Sequence, residues 1–88
     1  MRATINGMRV ADKESLFRLL REKLNLPADC GGNLDAVYDL LTEPGKDRII
    51  IVKNEALLRE RLGDYAERFL RMLEDAAAES GHVKFIRK

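Results

Sequence analysis

The chain has one cysteine (Cys30), one histidine (His82) and two serines (Ser15, Ser80), so nucleophilic catalysis has little raw material. A single cysteine closes no internal disulfide, and this favours a reducing compartment. No apolar run approaches the roughly 18 residues that a membrane span needs. The first residues, Met1 to Gly7, lack the apolar stretch of a signal peptide, so a cytoplasmic protein is expected. Net charge is only +1, which excludes a strong overall field of either sign and leaves steering to local patches. There is no linker, repeat or low-complexity segment. Eighty-eight residues, 45% apolar and 35% charged, predict one folded domain with a modest core.

One stretch lacks charge of one sign altogether. Residues 27–45 contain Asp29, Asp35, Asp39 and Glu43 but neither lysine nor arginine. Pro27 stops what precedes it, and Gly31-Gly32-Asn33 is loop and helix-start chemistry with Asn33 as N-cap. A helix is expected over residues 33–43, ended by Pro44-Gly45. At about 100° per residue, Leu34, Val37, Tyr38 and Leu41 share one side of it. Asp35, Asp39 and Glu43 share the other. Like charges four residues apart repel, and only Asp35 sits where the helix dipole compensates. On spacing alone a solvated face explains the acids; a face that costs helix stability also suits a partner.

The remaining elements follow from periodicity. Residues 2–6 form a strand candidate ended by Asn6-Gly7, and Met8 to Val10 either extends it or makes the connection. Asp12 caps a helix over residues 13–25, with Leu16, Leu20 and Leu24 in one row and Phe17 and Leu19 beside them; Lys13, Glu14, Arg18, Arg21 and Glu22 take the solvated face. Arg48 to Val52 includes Ile-Ile-Ile-Val, a run that suits a strand covered on both faces. Asn54 caps a short helix over residues 55–62 that Gly63 ends, and Asp64 caps another over residues 65–80. That helix buries Tyr65, Phe69, Met72, Leu73 and Ala76. Gly81 stands at its C′ position, and Val83 to Arg87 forms a last, edge or half-covered strand. The order β-α-α-β-α-α-β predicts an α/β protein with a parallel or mostly parallel sheet; strand order is not legible from periodicity.

Other chemistries find no support. Cys30 has no basic neighbour in sequence to activate it. Gly31-Gly32 lacks the Lys-Ser/Thr of a P-loop. Asp35 and Asp39 are too few oxygens for calcium, and no EF-hand pattern is present. His82 follows a helix-ending glycine and reads as a junction residue. Arg59, Arg61, Arg68 and Arg71 alternate with Glu55, Glu60, Asp64 and Glu67, a mixed surface and not a nucleic-acid footprint. Asp75 and Glu79 form a second acidic pair at i, i+4 spacing. No enzyme, cofactor or metal site is expected.

Leu26-Pro27, Gly31, Asn33-Leu34-Asp35-Ala36, Tyr38-Asp39 and Leu41-Thr42 resemble the signature of the barstar family, small intracellular inhibitors of secreted ribonucleases of the barnase type. Ile5-Asn6-Gly7, the alanine-rich acidic helix and the terminal strand after Gly81 extend the resemblance over the whole chain. It implies a small three-stranded parallel sheet packed with about four helices. It implies a partner too: a barnase-like ribonuclease or a related toxin whose active site the second helix and preceding loop plug, with no direct nucleic-acid or membrane contact and no need for an oligomer. Asp39 matches the family's central carboxylate and Asp35 the supporting one. Asn33, Leu34 and Thr42 match further interface positions, and Tyr38 stands where an aromatic, often Trp, is common. Asp75 matches a peripheral acid that Glu79 extends, and the resemblance sets this pair beside the second helix. Asp29 and Glu43 complete the candidate partner-binding set. Two departures stand out: Asp29-Cys30 replaces aromatic loop residues, and Glu43-Pro44 replaces a Gly-aromatic pair. With the near-neutral charge, they imply less stacking and a different partner, not necessarily barnase itself. The alternative is an immunity-like module on the same fold that neutralises a different toxin; a third class is a regulatory domain with no toxin partner.

Overall fold

A computed structural model describes residues 2–26 and 33–88. The elements run β1 (Arg2–Asn6), a 3-10 turn (Gly7–Arg9), α1 (Lys13–Leu24), α2 (Leu34–Leu41), β2 (Arg48–Lys53), α3 (Glu55–Leu62), α4 (Asp64–Glu79) and β3 (Val83–Arg87). The three strands form one parallel sheet in the order β1-β2-β3. Ala3 pairs with Ile50 and Ile5 with Val52 on one side of β2; Ile50 pairs with Phe85 on the other. The α/β architecture is the one the resemblance implies, with the apolar β2 in the middle.

Local chemistry explains the ends of the elements. Asp12 accepts from the Ser15 N–H at 2.8 Å while the Ser15 hydroxyl accepts from the Asp12 N–H at 3.0 Å, a reciprocal capping box. These Ser15 hydrogen bonds, the backbone one foremost, hold the Asp12 carboxyl below its ordinary range. Gly7 passes so close to β2 that a Cβ on it would stand 2.3 Å from the Asn54 carbonyl oxygen. Met8 to Val10 turns away from the sheet, and one nitrogen of Arg61 donates to the carbonyls of Gly7, Met8 and Val10 at 3.2, 3.1 and 2.9 Å.

Two expectations need correction, and two hold with a difference. Asn54 adopts a left-handed conformation and its amide donates to Asn6 at 2.7 Å, so it supplies no side-chain cap to α3. Gly63, at φ 59° and ψ −133°, both closes α3 and opens α4, so Asp64 is the first helical residue instead of the cap. Gly81 does stand at C′, but it is not left-handed; α4 ends at an extended Ser80 whose N–H donates to Ala76. Finally, β2 is covered on both faces as expected, with Ile51 on the outer face only 8% exposed, but the cover is unequal. Ile50 and Val52 join the central cluster, whereas Ile51 lies outside it and Ile49 is only half-buried.

That cluster lies between the helices and one sheet face. Ile5, Ile50 and Val52 meet Leu16 and Leu20 of α1, Val37 and Leu41 of α2, Leu58 of α3, and Phe69, Leu70, Leu73 and Ala76 of α4. Each large apolar side chain buried there contributes roughly 1.5–3 kcal/mol. The core thus fixes α2 and α4 side by side, each with its polar face outward. No described helix is long and apolar enough to cross a membrane.

Candidate functional site

Helix α2 starts where Asn33 directs it to. The Asn33 side-chain oxygen accepts from the Asp35 N–H at 2.8 Å. Val37 and Leu41 anchor the helix in the core, Leu34 and Tyr38 are half-buried beside α4, and Asp35 and Asp39 point to solvent. The helix is shorter than the expected 33–43. The Thr42 N–H and hydroxyl both donate to the Tyr38 carbonyl, at 3.0 and 2.9 Å, and close the last turn. Glu43 therefore falls beyond the helix and does not continue the row of Asp35 and Asp39. Its carboxylate turns toward Lys46 at 3.9 Å and Arg48 at 3.8 Å.

Arg48 explains that turn. The residue is 4% exposed, and its Nε has no hydrogen-bond partner among the described residues. A buried guanidinium is costly unless a carboxylate lies near it. Glu43 thus answers an internal charge.

Where α2 meets α4, two depressions flank Tyr38. The first is lined by Leu34, Asp35 and Tyr38 from α2 and by Arg68, Arg71, Met72 and Asp75 from α4. The second is lined by Tyr38, Thr42, Pro44, Glu79, Ser80, Gly81 and His82. The tyrosine ring is the wall between them. The adjacency that the sequence could not establish is thereby present: Asp35 and Asp75 share one depression, and Glu79 lines the next. Asp39 lies on the exposed outer side of α2. Asp29 and Cys30 lie outside the described residues.

Asp35, Asp39, Asp75 and Glu79 make no ion pair and no side-chain hydrogen bond among the described residues. Their like charges repel, and nothing in the described fold needs them. Sequence reasoning missed Arg68, Arg71 and Met72 as members of this surface. The signal was available: residues 68, 71, 72, 75 and 79 recur at three- and four-residue spacing, so the stripe carrying Asp75 and Glu79 carries the two arginines as well. Met72 was assigned to the core, and it is both buried and exposed at one edge to the groove.

The arrangement offers carboxylates and aromatic surface for recognition. Among the described residues no group of three His, Cys, Asp or Glu side chains gathers where it could hold a metal ion. Among the pocket-lining residues, His82 is engaged with Asp47 at 3.1 Å.

No curated protein matches the chain. A family model described as Barstar (barnase inhibitor) matches residues 1–86, which takes in every strand and helix described above except the last residue of β3. On that match the chain belongs to the barstar family, whose members are inhibitors and not enzymes.

Proposed function

We propose that this protein inhibits a barnase-type ribonuclease by setting the acidic side of α2, with the loop before it, into the enzyme's active site. The observation that carries the reading is the set of unpaired carboxylates on two helices held side by side by one core. A ribonuclease binds RNA phosphate through cationic side chains. A carboxylate on a rigid helix can stand in for that phosphate and accept charge-assisted hydrogen bonds. Asp39 takes this central role, and Asp35 supports it. Asn33, Leu34, Tyr38 and Thr42 supply the surrounding contacts, and Asp75 and Glu79 extend the acidic field. Asp29 belongs to the loop that approaches the enzyme with α2. Glu43, drawn toward Arg48, contributes less than its charge suggests. We further propose that residues 1–88 act as one domain and as a monomer in the cytoplasm.

The test is inhibition of a purified barnase-type ribonuclease by the wild-type protein and by Asp39→Ala. Truncation leaves cationic groups of the enzyme unpaired, so the expected loss is roughly 2–5 kcal/mol, mainly as faster dissociation. Equal inhibition by both proteins refutes the reading. A second reading, neutralisation of a different toxin by the same face, draws on Arg68 and Arg71, whose positive charge suits a partner unlike an all-cationic active site. Competition by RNA separates the two: RNA displaces the protein from a ribonuclease active site and not from a surface elsewhere.

A further inference from the structure

The depression between α2 and α4 is not uniformly acidic. Arg68 and Arg71 line it together with Asp35 and Asp75. Both arginines are exposed, and neither makes an ion pair or a hydrogen bond among the described residues. Arg68 lies over the Tyr65 ring with its guanidinium carbon 5.6 Å from the centroid, so one face is held while its donors have no partner among the described residues. Arg71 stands four residues before Asp75, within reach for an ion pair on a helix though in the less favourable order, and no pair between them forms within 4.0 Å. Two guanidinium groups with ten N–H donors between them thus face the same cleft.

We infer that Arg68 and Arg71 receive a carboxylate from the partner protein, and that the groove thereby selects a ribonuclease with an acidic side chain beside its phosphate-binding cations. The inference rests on the reading of this face as the inhibitory surface. The argument is charge complementarity. An all-cationic partner face meets Asp39 favourably but sets like charges against the two arginines, and like-charge juxtaposition disfavours the complex. A carboxylate lowered into the groove removes that conflict and pairs with planar donors that match its geometry. Leu34, Tyr38 and Met72 form the apolar walls, so the pairing is partly shielded from water. Attraction at Asp39 and repulsion at the arginines together make a selective site.

Barnase is the probe, with its surface lysines and arginines reversed to glutamate one at a time. Each barnase variant is titrated against the wild-type protein, the double variant Arg68→Gln/Arg71→Gln, the single variant Arg71→Gln, and Asp39→Ala. At least one reversal is expected to tighten binding to the wild-type protein about tenfold. The same reversal brings no gain against the double variant and a reduced gain against Arg71→Gln. Because both arginines are exposed, thermal melting of these variants is expected to match wild type. The inference is overturned if no reversal tightens binding, or if the gain is the same with and without the arginines. Asp39→Ala separates this failure from that of the reading beneath it. If Asp39→Ala still weakens binding, the inhibitory face stands and only the arginine pairing falls. If Asp39→Ala binds barnase as wild type does, the face itself is misassigned.

Discussion

Two faces of the molecule carry similar side chains and use them differently. On the α3–α4–β3 side, Arg59 bonds to Glu55 and Glu67, while Arg87 pairs with Glu55 at 3.4 Å and Glu74 at 2.6 Å. The result is a chain of alternating charges that ties two helices to the last strand, and the contact with Glu67 raises the Arg59 pKa. On the α2–α4 side, Asp35, Asp39, Asp75 and Glu79 have no such partners among the described residues, although Arg68 and Arg71 stand in the same groove. Charge satisfied at home serves the fold. Charge left open beside a preformed groove suits an external partner. Glu43 shows that sequence position alone does not decide which: it follows an acidic helix and yet turns to the buried Arg48.

The contrast predicts that substitutions on one face move affinity and those on the other move stability. Asp39→Ala carries the largest expected effect, all of it in Kd and koff. Its melting temperature equals or slightly exceeds that of wild type, because a like-charge i, i+4 pair is relieved. A clear fall in Tm would place Asp39 with the structural charges. Glu43→Gln is next, and opposite in kind. It leaves a buried arginine without its carboxylate and is expected to cost about 1–2 kcal/mol in denaturant unfolding, less than a fully buried pair because Glu43 is half exposed. Its effect on inhibition is expected to be smaller than that of Asp39→Ala.

Neutralising Asp75 and Glu79 together should slow association about tenfold at low salt and leave dissociation nearly unchanged. Stopped-flow rates across a salt series check this; an effect confined to koff would make these acids direct contacts. The smallest effect belongs to Glu55→Gln. The Glu55 side chain is only 17% exposed, but both arginines that it bridges, Arg59 and Arg87, are nearly half exposed, so its loss is expected to cost about 0.5–1 kcal/mol of stability. Inhibition should be unaffected, since the groove lies on the other side of α4.

Much of this was legible in the sequence where one residue does one job. Asp12 and Asn33 are caps because a short polar side chain before an apolar period has few other uses. The leucine row of α1 and the Phe69–Leu73–Ala76 stripe of α4 found the core directly. The misses occur where a residue has two possible partners. Thr42 ends α2 because its hydroxyl reaches back to Tyr38, a choice that Pro44 conceals. Asn54 abandons capping because Asn6 on the neighbouring strand offers its side-chain oxygen. Gly63 displaces Asp64 because a positive φ serves two helices at once. For the site, the acids of α2 and α4 were each readable, but their adjacency depends on tertiary packing. The two arginines between them share the spacing of Asp75 and Glu79, and were discounted because their charge is interleaved with acids along the chain.

The order of the strands also bears on timing. Arg2 pairs with Ile49, and Arg48 pairs with Val83. The loop closed by the first pairing contains α2, and the loop closed by the second contains α4. The two halves of the acidic face are thus carried in separate crossovers and meet only when β2 has strands on both sides. Such long-range parallel pairing is slow to form. A partly folded chain therefore presents at most half of the surface, and the complete acidic face exists only once the last strand has docked.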